Sequence, residues 1–151
     1  MQLDGDPSDP LPTENAAAVA QGGAQVEAFV LGYDAGDQQW GFWMRGSDAA
    51  DSPALALATS PVTPVPGEWV HLVGVYDAGT SAISLYVNGQ TTGPVQLSAP
   101  MTWSATGALT LARERWNGAL SNFFPGSIDQ VSVYAGSVSA REVGNLYGAT
   151  S

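Results

Sequence analysis

Short apolar runs, separated by clusters of Gly, Pro, Asp and Ser, fill the chain from Val26 to Tyr134. That spacing predicts an all-β chain folded as two packed antiparallel sheets. The runs cover residues 26–33, 39–45, 54–59, 68–76, 82–88, 91–96, 108–113 and 126–134. Because side chains alternate across a strand, parity assigns faces. Ile83, Leu85 and Val87 share one face, with Ser84, Tyr86 and Asn88 on the other, and Asn88-Gly89 supplies the positive φ angles of a tight hairpin turn. Trp69, His71, Val73 and Val75 fall together, which places Trp69 in the core with Phe42. Ser139 followed by Glu142 forms a capping box, and Val143, Leu146 and Tyr147 follow at helical spacing, predicting one short C-terminal helix.

Residues 1–24 read differently. Asp4, Asp6 and Asp9 lie among Pro7, Pro10 and Pro12, and an Ala, Gln and Gly stretch follows. So little of this buries that a loose N-terminal arm is expected, ahead of a sandwich domain of residues 25–151.

Composition narrows the function classes. Four basic residues, all Arg, face fourteen acids for a net charge of -10. Such a field opposes a phosphate backbone and excludes nucleic acid as a partner. The absence of Cys removes a disulfide framework, a thiolate zinc site and a cysteine nucleophile together. A 44% hydrophobic content with five Trp marks a folded chain, and 151 residues suit a single domain. Its apolar runs fall short of the ~18 residues of a membrane span. The opening residues lack the basic and apolar regions of a secretory signal, so the chain is expected to be cytosolic or, preferably, a piece of a longer exported protein.

Candidate chemistry begins with Asp129. It shares strand parity with Val131 and Val133, so its carboxylate is expected to point inward, where a charge persists only if paired or coordinated. Arg113, on the parity of Leu109 and Leu111, is one partner through a bidentate ion pair, and a calcium ion is the other solution. His71, the only histidine, has no Gly-x-Ser-x-Gly elbow to serve and reads as structural. No strand carries two acids at i and i+2, and Glu114 reads as a solvated charge. Among the aromatics, Trp43 faces opposite to Trp40 and Phe42, and Trp103 and Trp116 lie in loop-like contexts. Arg115, Trp116, Asn117, Asn122 and Phe123 crowd one loop with the planar, aromatic and amide groups that bind hydroxyl-rich ligands. In the competing arrangement that loop folds back and seals the sandwich end, burying Trp116 and Phe123.

Five local patterns occur in register over residues 68–147. They are Glu68-Trp69-Val70-His71-Leu72 running to Tyr76-Asp77; Leu85-Tyr86-Val87-Asn88-Gly89; Leu109-Thr110-Leu111-Ala112-Arg113 leading to Trp116-Asn117-Gly118; Phe124-Pro125-Gly126-Ser127-Ile128-Asp129 through Tyr134; and Val138-Ser139-Ala140-Arg141-Glu142-Val143. In this order they resemble the LamG-like jelly-roll domains of the concanavalin A-like lectin and glucanase superfamily. Leu3-Asp4-Gly5 echoes the family's opening segment, but nothing resembles its long Phe-Thr-Val-Ser-Ala-Trp-Val strand, so an opening core strand is expected to be missing and a sheet edge unpaired.

The resemblance implies a concanavalin A-like jelly-roll sandwich with one short C-terminal helix. It implies a non-catalytic binding or adhesion module of the cell envelope or extracellular space, whose partner is a glycan or a cell-surface protein. The expected ligand-binding residues are Trp43, Trp103, Arg115, Trp116, Asn117 and Asn122. LamG-like relatives often hold calcium, which makes Asp129 and Asp4 the expected metal ligands. Two further classes stay open: an interaction domain that pairs through its free sheet edge, a homodimer included, and a glycoside hydrolase. The hydrolase class lacks the Glu-x-Asp-x-Glu strand that catalytic relatives carry.

Overall fold

The computed structural model describes residues 1–150. Its strands are β1 (Gln2–Leu3), β2 (Ala16–Gly22), β3 (Glu27–Asp34), β4 (Gln39–Arg45), β5 (Ala54–Thr59), β6 (Leu72–Asp77) and β7 (Ala82–Val87). They continue with β8 (Gln90–Thr91), β9 (Val95–Gln96), β10 (Leu109–Leu111), β11 (Glu114–Trp116), β12 (Ala119–Ser121) and β13 (Gly126–Ser127), and helix α1 (Ala140–Thr150) closes the order. The larger sheet runs β10-β2-β3-β4-β5 and the smaller joins β6, β7, β8 and β9, all antiparallel. The two lie face to face as a sandwich. Tyr33, Trp40, Phe42, Met44 and Ala58 from one sheet meet Ile83, Leu85 and Val87 from the other, with Leu3 and Phe124 in the same core. Trp40 and Phe124 stack tilted at 6.4 Å between ring centroids.

The β4 and β5 bounds are those that hydrophobic patterning predicts, and the β7–β8 hairpin turns on Asn88 and Gly89 with φ of 50° and 77°. Helix α1 starts as its capping box requires: the Ser139 N–H donates to Glu142 Oε2 at 2.7 Å, and the Glu142 N–H donates back to Ser139 Oγ at 3.3 Å. Ser139→Ala is expected to lower stability by about 1 kcal/mol in urea denaturation, the usual loss for an N-cap.

Three expectations are corrected. The stretch taken for part of a loose arm contains β2, held between β10 and β3 with Ala16 to Ala20 buried. β3 carries glycine where it meets this strand: a Cβ on Gly32, opposite Ala17, would collide with the Ala16 carbonyl oxygen. Trp69 is 54% exposed, not core; Val70, Leu72 and Tyr76 are the residues of that stretch that face inward. Gly74, opposite Leu85, shares the inward face and admits the Phe42 ring, which a Cβ would meet at 2.7 Å. Hydrophobic parity misses a face whose middle position is glycine. Finally, the run 126–134 forms a ladder only at Gly126–Ser127, against β1; beyond it Asp129, Val131, Val133 and Tyr134 are exposed.

Candidate functional site

The β11–β12 hairpin reverses at Asn117-Gly118 with φ of 51° and 77°, again the twist-matched turn. β11 packs against β2 and β3 and so covers part of the outer face of the larger sheet. That face carries its own apolar cluster of Ala17, Ala20, Val30 and Trp43, with Leu57 at its margin. Trp43 does point away from Trp40 and Phe42, yet it is only 3% exposed. The expectation of Trp43 as a sugar-stacking residue is therefore corrected, because the outer face is itself packed.

A buried polar network fixes this hairpin. Arg45 Nη1 donates to Glu114 Oε2 at 3.1 Å, with both side chains almost wholly withdrawn from water. The other Glu114 oxygen accepts from Asn122 Nδ2. The Arg45 guanidinium also lies 4.7 Å from the centroid of the Trp116 ring, within cation–π range. Glu114 is thus no solvated charge, and Asp129, being exposed, needs neither Arg113 nor an ion to neutralise it.

Glu27 is the second buried carboxylate here, and its Oε1 accepts the Arg115 N–H at 2.9 Å. Burial pushes its carboxyl above the usual range; the Arg115 N–H opposes the rise and the nearby Glu114 adds to it. The folded chain therefore keeps a proton on Glu27 where the unfolded chain has released it. Stability from this group is complete below the ordinary glutamate range and declines as pH rises through and above it. Glu27→Gln is expected to flatten that decline in melting curves taken between about pH 4 and pH 7.

Loops on either side are tied to the hairpin end. Asp48 accepts the N–H groups of Ala24, Gln25 and Val26 at 2.7, 2.7 and 3.1 Å. Desolvation opposes its ionisation, but those bonds outweigh it and hold the carboxyl below its ordinary value. Asp51 and Asn117 bond reciprocally: the Asp51 N–H donates to Asn117 Oδ1 and Asn117 Nδ2 donates to Asp51 Oδ1, both at 2.7 Å.

The structure thus brings together Arg115, Trp116, Asn117 and Asn122. Asn117 and Asn122 use their amides internally, whereas Trp116 and Arg115 stay half-exposed, Arg115 Nη1 donating to the Gly118 carbonyl at 2.8 Å. Trp103 is half-buried in the irregular stretch between β9 and β10. Asp4 and Asp129, the expected metal ligands, are both exposed, and Asp129 Oδ1 accepts the N–H of Gln130. Among the described residues no three His, Asp or Glu side chains gather into a group that could hold a metal ion. Arg45, Glu27 and Asp51 were not legible as site residues. The one available hint was an arginine ending an apolar strand, in a chain with few cations to spare.

Comparison with known proteins places this geometry. The Laminin_G_3 family model, described as the concanavalin A-like lectin/glucanases superfamily, matches residues 8–144. Among solved structures, the native heptameric SAP-like pentraxin from Limulus polyphemus is similar with a TM-score of 0.67 and 15% identity, over 92% of this chain. The chain spans 65% of that pentraxin's length. An S-layer domain-containing protein (residues 221-444) from Clostridium thermocellum ATCC 27405 matches at a TM-score of 0.45 and 19% identity, covering 82% of this chain and 64% of that one. No curated protein matches. Two facing antiparallel sheets with a closing helix, matched by the family model over most of their length, establish that the chain belongs to the Laminin_G_3 family of the concanavalin A-like superfamily.

Proposed function

We propose that this chain is a non-catalytic binding module of an exported protein and that its ligand is carbohydrate, met at the β11–β12 hairpin. One observation carries the reading: Trp116 is only half-buried while Arg45, itself clamped by buried Glu114, lies against its indole and holds it in place. A fixed aromatic surface can stack on the apolar face of a sugar without first losing rotamer freedom. Arg115, half-exposed on the same strand, and the exposed Asp51 supply donors and an acceptor for hydroxyl groups.

The buried carboxylates argue for binding rather than hydrolysis. Glu114 is held by Arg45 and Asn122, and Glu27, which keeps its proton, is buried beside it, so neither carboxyl is presented to a glycosidic bond at the hairpin surface. Affinity electrophoresis against a panel of soluble polysaccharides tests the reading. The native chain is expected to be retarded by at least one of them, and Trp116→Ala, checked to be folded by its melting curve, to bind about tenfold more weakly. Equal retardation of both, or none by any polysaccharide, would overturn it, and release of reducing ends would replace it with the hydrolase class.

A further inference from the structure

A cavity of about 190 Å³ lies behind the β11–β12 hairpin, lined by Glu27, Thr110, Arg113, Arg115 and Leu120 together with three glycines. Glu27 Oε2 lies against one of these, Gly22, where a Cβ would collide with it, so this oxygen sits on the cavity wall. At the ~30 Å³ that a water takes in the liquid, the space has room for about six water-sized groups.

Most polar groups of the wall are already used. The Gly22 carbonyl accepts the Gly107 N–H, and the Gly107 carbonyl accepts Gln21 Nε2, each at 2.9 Å. Thr110 Oγ1 donates toward the carbonyls of Ala20 and Arg113. Arg115 Nη1 is taken by the Gly118 carbonyl, and Arg45, which also acts on Glu27, is neutralised by Glu114. Two groups remain. The Arg113 guanidinium, half-buried, makes no hydrogen bond or ion pair among the described residues. Glu27 is 4% exposed, and only its Oε1 accepts a hydrogen bond from a described residue. Because burial keeps a proton on this carboxyl, it offers the cavity an O–H.

We propose that the cavity is a binding site for a small carboxylate, one oxygen gripped by Arg113 and the other accepting from Glu27. A guanidinium and a carboxylic acid are both donors, and a carboxylate answers both with acceptors while compensating the cation. A neutral hydroxyl would leave that charge unpaired. A doubly charged phosphate would meet more strongly the field of a chain with net charge -10. The site stands apart from the Trp116 surface: Arg115 and Leu120, opposite one another on the hairpin, belong to the face that Trp116 points away from.

Titrations of the native chain at about pH 5.5 with acetate, glucuronate, glucose and inorganic phosphate, followed by backbone amide resonances, test this. Saturable shifts at Gly22, Gly23, Gly107 and Arg113 are expected with acetate and glucuronate and not with glucose or phosphate. Tighter binding of glucuronate assigns the site to a sugar acid, and equal or tighter binding of acetate to a free short-chain carboxylate. Arg113→Gln, checked to be folded by its melting curve, is expected to bind about tenfold more weakly. Ionisation of Glu27 beside Glu114 removes the O–H and adds a negative charge that Arg45, Arg113 and Arg115 must then share with Glu114 and Asp48. Affinity is therefore expected to fall at least about fivefold from about pH 5.5 to about pH 8, and to stay level in Glu27→Gln. No saturable shift with either carboxylate, equal binding of phosphate or glucose, an unchanged affinity in Arg113→Gln, or the same pH profile with and without the Glu27 carboxyl would overturn the proposal.

Discussion

Glu114→Ala is expected to lower the unfolding free energy by about 3–5 kcal/mol, because it strands the Arg45 guanidinium in a site with almost no access to water. Neither partner can move out, since Arg45 is also held over Trp116 and Glu114 by Asn122. Chemical denaturation of the single variant gives the number. The double variant Arg45→Met, Glu114→Leu is expected to recover most of the loss, as replacing both members of a buried pair by apolar groups removes the desolvation cost with the attraction. A loss below 1 kcal/mol in Glu114→Ala would place the pair in solvent and leave the hairpin without its anchor.

The second large effect separates two tryptophans that look alike in the sequence. Trp40→Ala is expected to cost about 3–5 kcal/mol, since Trp40 is 1% exposed and packs on Phe124 at the centre of the sandwich. Trp69→Ala is expected to cost less than about 1 kcal/mol, as an exposed substitution away from the packed core. Equal losses would contradict the inward direction of Leu72, Gly74 and Tyr76 on β6.

The contrast shows what the sequence carries. Where a strand is regular and apolar on one face, as in β4, β5 and β7, alternation gives both its bounds and its orientation. The Asn88-Gly89 turn and the Ser139 cap were legible because their chemistry is local, within four residues of chain. The family was legible from motif order. Features set by distant partners were not. Trp43 is covered on a face that a hairpin some seventy residues later overlies, and the Arg45–Glu114 pair spans 69 positions. β2 hides because alanine carries little strand signal until a neighbouring sheet backbone encloses it. Residues 128–134 have a strand's alternation but form no ladder, so Asp129 reads as buried in sequence and is exposed in the fold.

Glycan recognition at a pre-set hairpin is tested most directly by following backbone amide resonances of the native chain during titration with the polysaccharide that retards it most. The expected perturbations centre on Arg115 to Gly118 and on Asp51, with the amides of β6 unmoved. Perturbations confined elsewhere, or a spectrum that does not respond, would contradict it.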